Sequence, residues 1–158
     1  MGFEALLKEF TAAVEAGDGK RLANLFTDDG IYHDTFYGAF QGHDAIAHML
    51  EGMFWRDAEA FAWEMTDPVS EGDRGYARWI FSYTSKLPEA SGRRVVFEGM
   101  SLFRLRDGKI QHYGEIFDRA LALEQVAFPP ERISRFVGKA VAELRARVAG
   151  TRHLPAQD

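Results

Sequence analysis

Residues 95–118 read VVFEGMSLFRLRDGKIQHYGEIFD. Two alternating runs flank Arg106-Asp107-Gly108, the composition of a β-hairpin, because glycine takes a positive φ without steric cost. Two registers compete. A two-residue loop pairs Leu105 with Ile110, and a three-residue loop with Gly108 left-handed pairs Leu105 with Lys109. Arg106 and Asp107 suit a type I turn followed by a glycine bulge, which favours the second register. It puts Phe97, Gly99, Ser101 and Phe103 on the same face as Tyr113, Glu115 and Phe117. Glu115 is thus a carboxylate set among aromatic side chains, and a carboxylate so placed asks for a chemical reason.

Working outward, the same period of two runs upstream. Ala77, Trp79, Phe81 and Tyr83 form one face opposite Arg78, Ser82 and Thr84, and Phe61, Trp63 and Met65 alternate with Ala62 and Glu64. Asp67-Pro68 interrupts that strand, Glu71-Gly72-Asp73 marks a turn, and 88–92 marks another. Ahead of the strands the period becomes helical. Phe3, Leu6, Leu7, Phe10, Ala13 and Val14 predict a helix over 3–16 ending at Gly17, and Asp18 caps a short second helix with Leu22, Leu25 and Phe26. A turn at 27–30 leads into a strand over 31–36, and a third helix runs from Asp44 to about Trp55. After Asp118, read as an N-cap, a short helix over 119–126 stops at Phe128-Pro129-Pro130. A last helix over 131–149 carries Ile133, Phe136, Val137, Ala140, Val141, Leu144 and Val148 in one stripe, with a solvated basic face opposite a docked apolar one. Helices ahead of a strand meander give an α+β class, with helices covering one sheet face. Residues 1–127 form the main domain, 128–149 a helical extension of it, and 150–158 a loose tail.

Composition narrows the function classes. The chain has 158 residues, 46% apolar and 13% aromatic, with a formal net charge of -5. That suits one domain with a substantial core and argues against disorder. No basic run lies among the strands, so nucleic acid is not an expected partner. Cysteine is absent, which excludes thiol chemistry and fits a cytoplasmic setting; no stretch approaches a membrane span. The five histidines are dispersed without metal-ligand spacing, so no metal site is expected.

FTAAVEAGD, LANLFTDDGIYHD, QGHDAIAHML and LFRLRDGKIQHYGEIFD together resemble the SnoaL-like, or nuclear-transport-factor-2-like, superfamily over roughly residues 5–125. The resemblance implies a cone-shaped fold: a curved antiparallel or mixed sheet with N-terminal helices over its concave face, plus here an extra C-terminal helix. Asp34 falls where ketosteroid isomerases keep the aspartate that shuttles a proton. Phe10 stands at the position of their oxyanion tyrosine and Ser101 at that of their second, protonated aspartate, so the usual isomerase oxyanion pair is missing. Glu115 lies where SnoaL-like polyketide cyclases carry an acid/base aspartate, and where limonene epoxide hydrolase has an aspartate orienting water. Ser101 also replaces the cyclases' strand histidine. What the resemblance transfers is a cavity holding two carboxyls.

Two carboxyls facing one apolar cavity titrate apart, because burial and mutual repulsion both oppose double ionisation. Asp34 and Glu115 are therefore the catalytic candidates, one as base and the other as neutral hydrogen-bond donor. The structural alternatives are that Asp34 caps the next loop or pairs with His33, and that Glu115 pairs with an arginine. Tyr32, Tyr83, Tyr113 and Ser101 could orient a ligand, while Trp63, Trp79, Phe81, Phe97, Phe103 and Phe117 would form core or cavity wall. The expected function is a cofactor-independent acid/base enzyme acting on a small, largely apolar carbonyl or polyketide-like molecule. The alternative is a non-catalytic binder of such a ligand. On the opposite sheet face, Ile80, Met100, Leu102 and Ile116 predict a homodimer rimmed by Arg78, Glu98 and Arg104, with His112 among the surface residues there.

Overall fold

The computed structural model describes residues 1–156. Six strands, β1 (Phe26–Asp34), β2 (Gly38–Gln41), β3 (Ala58–Glu71), β4 (Arg74–Ser85), β5 (Arg94–Arg106) and β6 (Lys109–Phe117), form one sheet in the order β2-β1-β6-β5-β4-β3. All neighbours are antiparallel except β1 and β6, which are parallel, so the sheet is mixed. Helices α1 (Phe3–Ala16), α2 (Gly19–Ala23) and α3 (His43–Met49) lie ahead of or between the first strands. A π-helical turn over Leu50–Phe54 and the short α4 (Trp55–Asp57) complete the N-terminal half. Helix α5 (Arg119–Gln125) and helix α6 (Pro130–Val148) follow the sheet.

The β5–β6 hairpin differs at its tip from the expected three-residue loop. Asp107 and Gly108 both take positive φ, 54° and 75°, and Arg106 pairs with Lys109 and Leu105 with Ile110, a two-residue turn. Left alone, that turn would shift the register by one and flip every side chain of β6 to the other face. One extra residue on β6, Gln111, restores it: Arg104 pairs with His112, Phe103 with Tyr113, Ser101 with Glu115 and Gly99 with Phe117. The bulge therefore keeps Phe103, Ser101 and Gly99 on the face of Tyr113, Glu115 and Phe117.

Other boundaries differ for similar reasons. Residues 27–30 belong to β1, whose register against β6 shifts between Phe26 and Ile31, and Phe36 falls in the turn after the strand. Asp67-Pro68 does not end β3: Asp67 sits at φ 51° in a bulge between Thr66 and Val69, and pairing with β4 resumes. A second bulge at Ala60 leaves Trp63 N free of the ladder, and Glu15 Oε1 on α1 accepts it at 2.7 Å. That bond ties the first helix across the sheet.

The core lies between α1 and the inner sheet face. Phe10, fully buried, is its hub, with ring centroids 5.0 Å from Tyr113, 5.4 Å from Trp63, 5.9 Å from Phe103 and 6.0 Å from Tyr32. Asp18 caps α2 through Arg21 N and Asp118 caps α5 through Ala120 N, both at 2.9 Å, as their positions predicted. Helix α6 is not docked as expected. It has no buried residue, and Val137, Val141 and Leu144 are about half exposed. Its attachment is local: Phe128 packs on Phe136, and the Arg132 guanidinium stands 3.8 Å over the Phe128 ring. Of the expected loose tail, residues 150–154 form a hydrogen-bonded turn closed by Gly150 N to Leu154 O at 2.9 Å, and 157–158 lie outside the described residues.

Candidate active site

Asp34 ends β1 and Glu115 is the third-last residue of β6, the strand paired with it in parallel. Period-two alternation points both side chains inward, and the turn after Asp34 brings the two together. Asp34 Oδ1 accepts from Phe36 N at 2.8 Å and Tyr37 N at 2.7 Å, an Asx turn that holds the carboxyl in one orientation. The expected structural role, capping the next loop, is thus real, and it leaves Oδ2 without a protein partner among the described residues. Glu115 does not meet an arginine. Thr35 N donates to its Oε1 at 3.3 Å, and the Tyr113 hydroxyl donates to its Oε2 at 2.9 Å. Tyr113 in turn meets Ser101 Oγ at 2.9 Å, so Ser101, Tyr113, Glu115 and the Thr35 backbone form one chain of hydrogen bonds.

Both carboxyls hold their protons more tightly than ordinary ones. Burial raises Asp34 to about 6, against the opposing pull of the Tyr37 and Phe36 N–H groups. Burial raises Glu115 further, to about 8, with the negative charge of Asp34 adding to it and the Tyr113 and Thr35 hydrogen bonds opposing. Burial and the Asp34 charge make Glu115 the more strongly protonated of the two, and near neutral pH the coupled pair shares one proton and one charge. Burial also lifts the phenols of Tyr32 and Tyr113 far above their ordinary range, with Glu115 as the next cause in each, so both stay neutral donors.

A cavity of about 130 Å³ opens beside the pair. Of the residues expected to contact a ligand, Tyr32, Trp79, Phe81, Tyr83, Phe97 and Phe117 line it together with Asp34 and Glu115. Ser101, Phe103 and Tyr113 do not. Phe103 is packed between Phe3, Phe10 and Tyr113 in the closed core, and Ser101 and Tyr113 stand behind Glu115 as its support. Sequence reasoning missed the mouth: Phe36 and Tyr37 from the turn after β1, Phe54 from the π-helical turn, Asp57 and Leu87. The lining contains no lysine, arginine or histidine. Trp63 also lines the cavity, and its Nε1–H, like that of Trp79, is buried with no acceptor among the described residues. Each such donor costs about 1–3 kcal/mol if left unpaired. The third indole, Trp55, donates to Val14 O at 3.1 Å.

The histidines lie elsewhere. His33 and His112 meet edge to face at 6.3 Å, and alternation puts both on the face opposite Asp34 and Glu115; His43 Nε2 bonds Phe26 O at 3.1 Å. No three metal-ligating side chains converge among the described residues, and no helix there is long and apolar enough to cross a membrane.

Comparison with known proteins agrees with this geometry. The sequence model described as a SnoaL-like domain matches residues 7–113. A search of curated proteins by sequence gives no match. Among solved structures, the chain is similar to a protein of ketosteroid-isomerase-like fold from Catenulispora acidiphila, solved with trimethylamine. That likeness has TM-score 0.71 and 20% identity, over 80% of this chain and 95% of that one. It is similar to a limonene-epoxide-hydrolase-like epoxide hydrolase of M. tuberculosis (TM-score 0.63, 16% identity, 88% and 94% covered). It is also similar to IdmH of Streptomyces antibioticus, described as a candidate polyketide cyclase (TM-score 0.64, 19% identity, 79% and 98% covered). At these identities the structures establish the cone fold and no activity.

Proposed function

The chain belongs to the SnoaL-like family, and from that premise we propose that it is a cofactor-independent acid/base enzyme acting on a small, largely apolar carbonyl or polyketide-like molecule. The observation that carries the reading is two buried carboxyls, Asp34 and Glu115, lining one aromatic cavity without a basic side chain, with Glu115 the more strongly held in its neutral form. Asp34 takes the proton from the carbon next to a carbonyl. Glu115 gives its proton to the carbonyl oxygen, so a neutral enol forms and the pair's single negative charge passes from Asp34 to Glu115. Reversal at the same or a neighbouring carbon returns both protons and yields exchange or isomerisation; attack of the enol carbon on a second carbonyl yields cyclisation, with Glu115 taking back the enol proton and Asp34 protonating the oxygen of the attacked carbonyl. Such assistance is worth roughly 10²–10⁴-fold. The cavity volume is close to the ~150 Å³ that admits a benzene-sized molecule, which favours a single-ring ligand over a tetracyclic one.

A simple ketone can stand in for the natural substrate in the test. Exchange of α-hydrogens of cyclohexanone for deuterium, followed by proton NMR, reports the proposed proton transfer. The wild-type chain should accelerate it over buffer, and Asp34→Asn should return it to the buffer rate. A wild-type rate equal to buffer would overturn the reading for small ring ketones. The reading extends to assembly: Ile80, Met100, Leu102 and Ile116 are exposed on the outer sheet face, the last three lining a groove with Arg78 and Glu98, and a second copy would cover them.

A further inference from the structure

Two hydroxyls stand behind Glu115 without lining the cavity. Ser101 on β5 pairs with Glu115 in the β5–β6 register, and Tyr113 precedes Glu115 by two residues on the same inner face. Both are fully buried, and Tyr113 is walled in by Phe10, Tyr32 and Phe103, with ring centroids 5.0, 4.5 and 5.2 Å away. Tyr113 Oη lies 2.9 Å from Ser101 Oγ and 2.9 Å from Glu115 Oε2. Counting hydrogens fixes the direction of these bonds. An ionised Glu115 can only accept, so Tyr113 spends its one hydrogen on Oε2 and Ser101 donates to Tyr113. A neutral Glu115 can donate from Oε2 instead, and Tyr113 then donates to Ser101. The chain reverses by rotation of two O–H bonds, with no heavy atom moved.

We propose that Ser101 and Tyr113 are positioning residues for Glu115: a hydroxyl relay that turns toward Oε2 as the Glu115 proton leaves for the substrate and stabilises the carboxylate left behind. The assignment rests on Glu115 as the proton donor of the acid/base reading, and adds how an acid buried among aromatic rings lets its proton go. Desolvation and the charge of Asp34 hold that proton on, and the bonds from Tyr113 and Thr35 oppose them. The Tyr113 bond is the shorter, 2.9 Å against 3.3 Å for Thr35 N, and Ser101 polarises it by donating to the tyrosine oxygen from behind. No other titratable group nearby does this. From β1, Asp34 opposes ionisation and Tyr32 stays a neutral phenol. Across the cavity stand Tyr37, Asp57 and Tyr83, and Arg119 on α5 acts on Asp34. Because only hydrogens turn, the support is in place before the charge forms.

The experiment follows Glu115 by NMR in the full chain labelled with carbon-13 at glutamate Cδ, its signal identified by its loss in Glu115→Gln. In the wild type it should titrate at about 8. Tyr113→Phe keeps the ring and removes the donor, and should make Glu115 an acid about ten- to a hundredfold weaker. Ser101→Ala should weaken it about twofold in the wild-type chain and leave it unchanged in Tyr113→Phe, because Ser101 acts only through Tyr113. A hydroxyl pair of purely structural value would lower the urea midpoint and leave the titration where it was. A Glu115 titration unmoved or lowered by Tyr113→Phe, or a Ser101→Ala effect that persists without the tyrosine hydroxyl, would overturn the proposal. Deuterium exchange of cyclohexanone separates the relay from the acid/base reading. A titration that moves in the variants while the wild type shows no exchange faults the acid/base chemistry, and exchange in the wild type with an unmoved titration faults the relay.

Discussion

Replacing Glu115 by Gln should stabilise the protein at alkaline pH and leave it nearly unchanged in acid. Glutamine copies the protonated acid. Its Oε1 can accept from Thr35 N, and its Nε2 can donate to the Tyr113 hydroxyl, which then donates to Ser101 Oγ. The sign follows from where the proton is held. Glu115 moves from 4.5 in the unfolded chain to about 8 in the folded one, so between those values the folded state binds more protons than the unfolded. Stability is therefore fully present below about pH 4.5 and is lost as pH rises through about 8. Each tenfold change in proton affinity is worth about 1.4 kcal/mol, and Glu115 retains some exposed surface, so the loss in the wild type comes to about 2–4 kcal/mol. Urea unfolding at a series of pH values measures it through the midpoint at constant slope. The Gln variant should match the wild type near pH 5 and exceed it by about 2–4 kcal/mol near pH 9. A wild-type stability that is flat or rising over that interval, with no gain from glutamine, would refute burial as the cause of the shift.

Other outcomes follow from the same contacts. Catalysed deuterium exchange should show a bell-shaped pH profile, rising with Asp34 ionisation at about 6 and falling as Glu115 ionises at about 8; a monotonic rise would mean that the Glu115 proton is not used. Phe10→Ala, at a fully buried hub of five aromatic contacts, should cost about 3–5 kcal/mol in chemical unfolding. Gly99→Ala places a methyl 2.6 Å from both Trp79 Cζ2 and Ile116 O; it should cost about 1–3 kcal/mol and weaken cyclohexanone binding by displacing the indole edge. Ile116→Lys, at a side chain 70% exposed on the outer face, should convert a dimer to a monomer in sedimentation at micromolar concentration while leaving the fold intact. A wild-type chain already monomeric there would contradict the assembly reading.

The hairpin shows what the sequence can and cannot carry. Its faces were legible because Phe97, Phe103, Tyr113 and Phe117 are too bulky and apolar to be divided between core and solvent. The turn was not, since Arg106-Asp107-Gly108 admits two loops and the compensating bulge, Gln111, lies three residues further on. The odd spacing of buried Ile110 and Tyr113 is its one local trace. Asp34 and Glu115 stood out as carboxylates in apolar, period-two surroundings. The cavity mouth did not, because Tyr37, Phe54 and Asp57 sit in a turn, a π-helical turn and a helix of three residues, where no periodicity marks an inner side. Helix α6 marks another limit: amphipathic spacing shows that a stripe exists but not whether anything covers it, and Val137, Val141 and Leu144 stand half exposed. Nor does a sequence reveal a donor without a partner. Trp63 and Trp79 read as wall from their spacing, and only the packed fold leaves their N–H groups without acceptors.

The central claim is that one proton resides on Glu115 at neutral pH, beside an ionised Asp34. Infrared difference spectroscopy between the wild type and Glu115→Gln near pH 7 tests it directly, through the carbonyl stretch of an un-ionised carboxylic acid. The account predicts that this band is present in the wild type, absent in the variant, and lost on titration through about pH 8. Its absence near pH 7, with the band appearing only below about pH 5, would place Glu115 among ordinary carboxylates and contradict the account.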